Sequence, residues 1–155
     1  MAATCVLCGA DDPAAVTPVC DLGPLRVVRV IDQPDYPAYW RVIWRAHVAE
    51  FSDLDAADRL RCMDVVATVE RVMLEALAPA KVNLASLGNM VPHLHWHLIA
   101  RHRLDAHFPQ AIWAPRQRES GAGGPFTADW PAIDARIRQA LGVDDGQELH
   151  LGAGA

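Results

Sequence analysis

The sequence predicts an α+β fold, an antiparallel sheet of about five strands with one long helix and a second, C-terminal helix packed on it. Three observations support this. Short β-type runs outnumber helical stretches, so helices cannot alternate one for one with strands as a parallel sheet requires. One stretch, from Ser52 to Pro79, changes from a period of two to helical spacing. At 155 residues, 52% of them apolar, the chain is long enough for one proper core.

The elements follow in order. Residues 15–22 (AVTPVCDL) and 25–32 (LRVVRVID) read as two short strands separated by a Gly-Pro turn, and 39–46 (YWRVIWRA) as a third. In the long helix Ser52 is the expected N-cap and acidic residues fill the first turn. Leu60, Met63, Ala67, Leu74 and Leu77 form its expected core face, and Pro79 stops it. A second apolar stripe, Val65, Val69, Val72 and Ala76, exceeds what a helix covering a sheet needs and predicts a partner. Residues 81–88 (KVNLASLG) and 93–101 (HLHWHLIAR) read as the fourth and fifth strands, and 127–142 as the last helix, ending at Gly142. Residues 1–142 are expected to form a single domain and 143–155 a flexible tail.

Charge and composition exclude some functions. A net charge of −5 with one lysine, Lys81, argues against a polyanion-coating protein, so no nucleic-acid partner is expected. The first residues lack a basic and apolar leader pattern, and no run of eighteen apolar residues occurs, so no membrane association is expected and the cytoplasm is the expected compartment. In a reducing compartment the four cysteines are expected to be thiols or metal ligands. Cys5 and Cys8 form a C-x-x-C whose spacing alone is open between redox and zinc readings. Cys20 and Cys62 are expected in the core.

The densest chemistry lies in PHLHWHLIA, residues 92–100. On a strand, Leu94, Trp96 and Leu98 would enter the core while His93, His95 and His97 share the other face. A solvated strand face is one reading of three such histidines. A single metal held by all three is another, but His93 and His97 would lie about 13 Å apart on a straight strand, too far for one zinc. The third is nucleophilic catalysis by the central imidazole, oriented and assisted by its neighbours.

That third reading coincides with a family. The run HLHWHLI resembles the signature of the histidine triad (HIT) nucleotide hydrolases and transferases, and the likeness extends to RVIWRAHVAEFSDLDAADR and GNMVPHLHWH, spanning about residues 1–115. The resemblance implies a HIT-like fold and attack at the α-phosphorus of a nucleotide conjugate, a phosphoramidate or dinucleoside polyphosphate. His95 matches the nucleophile that forms a covalent nucleotidyl-histidine. His97 matches the histidine beside the phosphate and leaving group, with hydrogen bonding and proton delivery as its expected roles. Asn89 falls where the family often has glutamine, Asn83 where many members have a polar strand residue near the scissile site, and Asp32 at the position that contacts the ribose hydroxyls. Asp32 can equally start the turn DQPD. Cys5, Cys8, His47 and His93 resemble the zinc ligands of a bacterial branch, and a closed four-ligand set implies structural Zn2+, with no organic cofactor.

The resemblance further implies a two-fold homodimer. The sequence departs from the family where IPKxH is IWRAH, where GQS is GNM, and in a short segment between Asn83 and Gly88; two hydrogen-bond donors near the phosphate are lost. The alternative function is a noncatalytic nucleotide-binding or zinc-stabilised interaction protein. His102, His107 and His150 are expected to be exposed, and Arg101, Arg103, Arg116 and Arg118 to form a solvated basic face or meet distal phosphates.

Overall fold

A computed structural model describes residues 5–119 and 126–143. Its strands are β1 (Val16–Asp21), β2 (Leu25–Val30), β3 (Tyr39–Trp44), β4 (Lys81–Ala85) and β5 (His95–Arg101), and its helices are α1 (Ala56–Leu77) and α2 (Trp130–Ala140). The strands form one antiparallel sheet in the order β1-β2-β3-β5-β4. The expected α+β architecture is therefore the observed one. The chain beyond residue 143, where the flexible tail and His150 were expected, lies outside the described residues.

Both helices cover one face of the sheet. Leu25 and Val27 of β2, Trp40 and Val42 of β3 and Leu98 of β5 meet Cys62, Val66, Val69 and Met73 of α1 and Ile137 of α2, each nearly or fully buried. Each buried aliphatic side chain of this kind contributes about 1.5–3 kcal/mol. Asp134 of α2 anchors that helix to the sheet, accepting from Trp40 Nε1 at 2.8 Å and from Arg29 Nε at 2.9 Å. The opposite face carries a smaller apolar set, Val28, Val30, Tyr39, Ile43 and Ile99 with Tyr36 from the β2–β3 loop. No helix among the described residues is long and apolar enough to cross a membrane.

Three local expectations are corrected. The N-cap of α1 is Asp55, whose side chain accepts from the Asp58 N–H at 2.8 Å, and Ser52 lies in a short 3-10 turn before it. Leu54 separates the two in an extended conformation with its side chain buried, so a helix could not run through from Ser52. Second, the core face of α1 is Cys62, Val65, Val66, Val69, Val72 and Met73. Leu60 and Leu74 are 65% and 45% exposed, Ala67 is exposed, and Met63 and Leu77 are only partly covered. The valine stripe assigned to a partner is thus consumed by the chain's own sheet. Third, the β3–β5 ladder stops at Ile43 opposite His95, so His93 lies just outside the strand. The Leu94 backbone there crosses to both flanking segments, its carbonyl accepting from Trp44 N and its N–H donating to Val48 O.

Candidate functional site

The site occupies the sheet face away from the helices. Side-chain alternation along β5 turns His95, His97 and Arg101 to this face, and the register with β3 sets Arg41 opposite His97 and Ile43 opposite His95. From β4, Ala85 lies opposite His97 and Asn83 opposite Ile99. The expected core residues Leu94 and Leu98 do bury on the helical side, with Trp96 packed against them.

His95 is 8% exposed, and its Nδ1 lies 2.6 Å from the His93 carbonyl oxygen. A carbonyl only accepts, so Nδ1 carries the hydrogen and Nε2 keeps a free lone pair. Burial lowers the His95 pKa, the His93 carbonyl opposes that, and the nearby Arg41 charge adds to it. Its ring lies 4.6 Å from that of His97, centroid to centroid, in an edge-on arrangement.

His97 is fixed from the other side. Its Nδ1 is 2.5 Å from the Tyr39 hydroxyl, and Trp113 packs edge-on at 5.1 Å. Burial, then the charges of His95 and Arg41, push its pKa down to about 3, so the ring is neutral near pH 7. Tyr39 is raised by burial, against the effect of an Arg41 side chain that hydrogen-bonds it, and so keeps its proton. A Tyr39 hydroxyl that donates to Nδ1 would place the His97 hydrogen on Nε2. A neutral donor, rather than an imidazolium acid, is the form this environment favours.

Deeper on the same face, Arg101 is 2% exposed and is consumed by structure. It donates to both Asp105 carboxylate oxygens (2.8 and 2.9 Å), to Asn83 Oδ1 (2.6 Å) and to the Gln110 carbonyl (2.8 Å). Burial alone would raise the Asp105 pKa; Arg101 and the backbone N–H groups of His107 and Phe108 overcome it and hold the carboxyl down to about 2. Tyr36 Oη meets His107 Nδ1 at 2.5 Å. These bonds tie down the segment that brings Trp113 to His97. They also correct two expectations: His107 is buried, and Arg101 is not a free cation. Arg116 pairs with Asp35, and Arg118 donates to the Asp105 and Phe108 carbonyls. Between the β4 edge and this segment runs an open cleft of about 490 Å³, lined by Lys81, Asn83, Ala85, Pro109, Ala111 and Trp113 among others.

The four expected metal ligands converge. The ligand atoms of Cys5, Cys8, His47 and His93 all lie within 4.8 Å of one another. Cys5 Sγ to His93 Nδ1 is 3.4 Å, Cys8 Sγ to His47 Nδ1 3.3 Å and Cys8 Sγ to His93 Nδ1 3.5 Å. A tetrahedral zinc with ordinary Zn–S and Zn–N bonds sets sulfur and nitrogen about 3.5 Å apart. His93 Nε2 donates to the Trp44 carbonyl at 2.6 Å, leaving Nδ1 as the ligating nitrogen, the usual support for a metal-bound histidine. The donor set therefore fits zinc.

Asp32 and Asn89 are exposed, Asp32 just beyond β2 and Asn89 in the bend before Pro92. Gly88, which begins that bend, has a φ of +74°, a conformation an L side chain would strain. Tyr39, Arg41 and Trp113 escaped the sequence reading. For the first two a signal existed: polar groups alternate in YWRVIW, on the face that neighbours the triad once β3 and β5 are paired.

A family model described as HIT domain matches residues 22–104. Among solved structures, a histidine triad protein from Bradyrhizobium japonicum is 28% identical with a TM-score of 0.64, over 82% of this chain and 91% of that one. A histidine triad (HIT) protein from Sinorhizobium meliloti is 24% identical with a TM-score of 0.66, over 86% of this chain and 96% of that one. A zinc-bound histidine triad family protein from Mycobacterium smegmatis is 19% identical with a TM-score of 0.56, over 90% and 94%. No curated protein matches the chain.

Proposed function

This chain belongs to the HIT domain family, and on that premise we propose that it is a hydrolase or nucleotidyl transferase acting at the α-phosphorus of a nucleotide conjugate, of the phosphoramidate or dinucleoside polyphosphate class. The observation that carries the reading is the 2.6 Å contact between His95 Nδ1 and the His93 carbonyl, which leaves Nε2 as an oriented, unprotonated nucleophile. His95 Nε2 bonds to phosphorus as the bond to the leaving nitrogen or oxygen breaks, and the leaving atom takes up a proton from solvent, by way of His97 Nε2. Water then attacks the same phosphorus, the phosphorus–nitrogen bond breaks, and the nucleoside monophosphate departs with the water oxygen.

His97 donates from Nε2 to an oxygen of the phosphoryl group or leaving group. Asn83 borders the cleft that receives the leaving group, Asn89 presents its amide from the bend before the triad, and Asp32 takes the ribose hydroxyls. Cys5, Cys8, His47 and His93 hold one zinc ion, whose role is to fix the N-terminal turn against the start of β5. With four protein ligands it keeps no open position for chemistry.

A labelled nucleotide substrate quenched during turnover tests the reading. The label should be found covalently on His95, and His95→Ala should abolish both adduct and turnover with the far-ultraviolet spectrum unchanged. Turnover within a few-fold of wild type in that variant would remove His95 as nucleophile.

A further inference from the structure

Four arginines lie on the strands: Arg26 and Arg29 on β2, Arg41 on β3 and Arg101 on β5. Three of them meet a carboxylate: Arg26 with Asp11, Arg29 with Asp134 and Arg101 with Asp105. Among the described residues no carboxylate pairs with Arg41, and its buried Nε has no hydrogen-bond partner. Asp32 is near enough for its charge to reach Tyr39, yet it forms no ion pair with this guanidinium. The ring of Tyr39, 5.4 Å away, offers Arg41 a surface and a hydroxyl but no negative charge. A half-buried cation that gives up water without a counter-ion is costly unless a ligand supplies one.

The register says which ligand. Arg41 stands directly opposite His97, on the face that carries His95, so an anion bound there lies beside the histidine pair. On the proposed reading the charged part of the substrate at that point is its phosphoryl group. We propose that Arg41 binds a nonbridging oxygen of the phosphorus that His95 attacks, its planar fork supplying anion-directed donors where the GNM segment has Met90 in place of the family's serine. Guanidinium suits this because its donors match phosphate oxygens in pairs, whereas lysine offers a point charge. The cleft of Trp113 lies on the opposite, β4 side of His97, so the two features divide the substrate: phosphoryl oxygens toward β3, leaving group toward β4.

The inference rests on the hydrolase reading, and the test separates the two. Inorganic phosphate is titrated into wild type, Arg41→Gln and Arg41→Lys, followed by the imidazole NMR signals of His97, with circular dichroism to confirm folding. AMP and adenosine are titrated in parallel, and turnover of an adenosine phosphoramidate is measured. The expected result is phosphate binding weakened at least tenfold by Arg41→Gln and partly restored by Arg41→Lys. AMP binding should fall by a similar factor while adenosine binding holds. Unchanged phosphate affinity in Arg41→Gln, or equal loss of AMP and adenosine, would overturn the assignment while leaving turnover by His95 in place. Phosphate binding that depends on Arg41 in a protein without turnover would support it and instead defeat the hydrolase reading.

Discussion

Tyr39 shows how one hydroxyl sets the chemistry of its neighbour. Its bond to His97 Nδ1 selects which ring nitrogen carries the hydrogen, and a neutral donor needs that selection more than a charged one would. Tyr39→Phe should lower kcat about tenfold, the loss of about 1.4 kcal/mol of oriented hydrogen bonding, with little change in KM. His97 also governs an acid response. Its folded pKa near 3 lies below the ordinary value of 6.5, so the unfolded chain binds the extra proton first. Stability is therefore full above about pH 6.5 and declines as the pH falls from there toward 3. Thermal melts across that range should show the decline in wild type and a shallower one in His97→Gln. An identical slope in both would place the titration elsewhere. Neither effect was visible in the alternating histidines alone, because both depend on β3 as the neighbour of β5.

Helix α1 carries apolar residues around much of its circumference, and this explains what its sequence could and could not tell. Its existence and its stop before Pro79 were legible, because helical spacing and a proline are local signals; its start was not, since Asp55 and not Ser52 is the N-cap. The buried side was not, since the leucine stripe and the valine stripe satisfy the same period and only the sheet decides between them. Val65, Val66, Val69 and Val72 bury in one cluster with Trp40 and Val42 of β3 and Leu98 of β5, leaving Leu60, Ala67 and Leu74, seven residues apart, facing outward. The homodimer expected from the sequence is accordingly proposed on that outward stripe, with Val65, Val69 and Val72 excluded as contacts. Val69→Asp should unfold the chain, costing more than about 3 kcal/mol, because it buries an unpaired charge. Leu60→Glu should leave the fold intact and reduce the mass seen by light scattering from about twice 16.9 kDa to a single chain. A wild-type monomer would refute the dimer, and a well-folded Val69→Asp would refute the buried face.

At the scale of the whole molecule, the fold was readable from strand patterns and the ligand cluster from the family resemblance; the supporting bonds were not, since Tyr36 reaches Asp105 and His107 across 69 and 71 positions and the i,i+4 spacing of Arg101 and Asp105 does not by itself announce a buried pair outside a helix. The cluster itself is the longest-range of these connections. Cys5 and His93 meet across 88 positions of chain. Protein purified without chelator should contain one zinc per chain, and Cys5→Ser with Cys8→Ser should lose both the metal and several degrees of Tm. Metal-free wild type with an unchanged Tm would count against the site.

His93 carries the less obvious consequence. Its ring belongs to the cysteine cluster while its carbonyl fixes the tautomer of His95, so one residue joins the proposed clamp to the proposed nucleophile. Because Cys5 and His93 lie 88 positions apart, the clamp is expected to close late on the folding path. Interactions completed after the rate-limiting barrier leave the speed of folding unchanged and act on the speed of escape. The contribution proposed for the clamp is thus persistence: it would lengthen the time for which each molecule, once assembled, keeps His95 aimed.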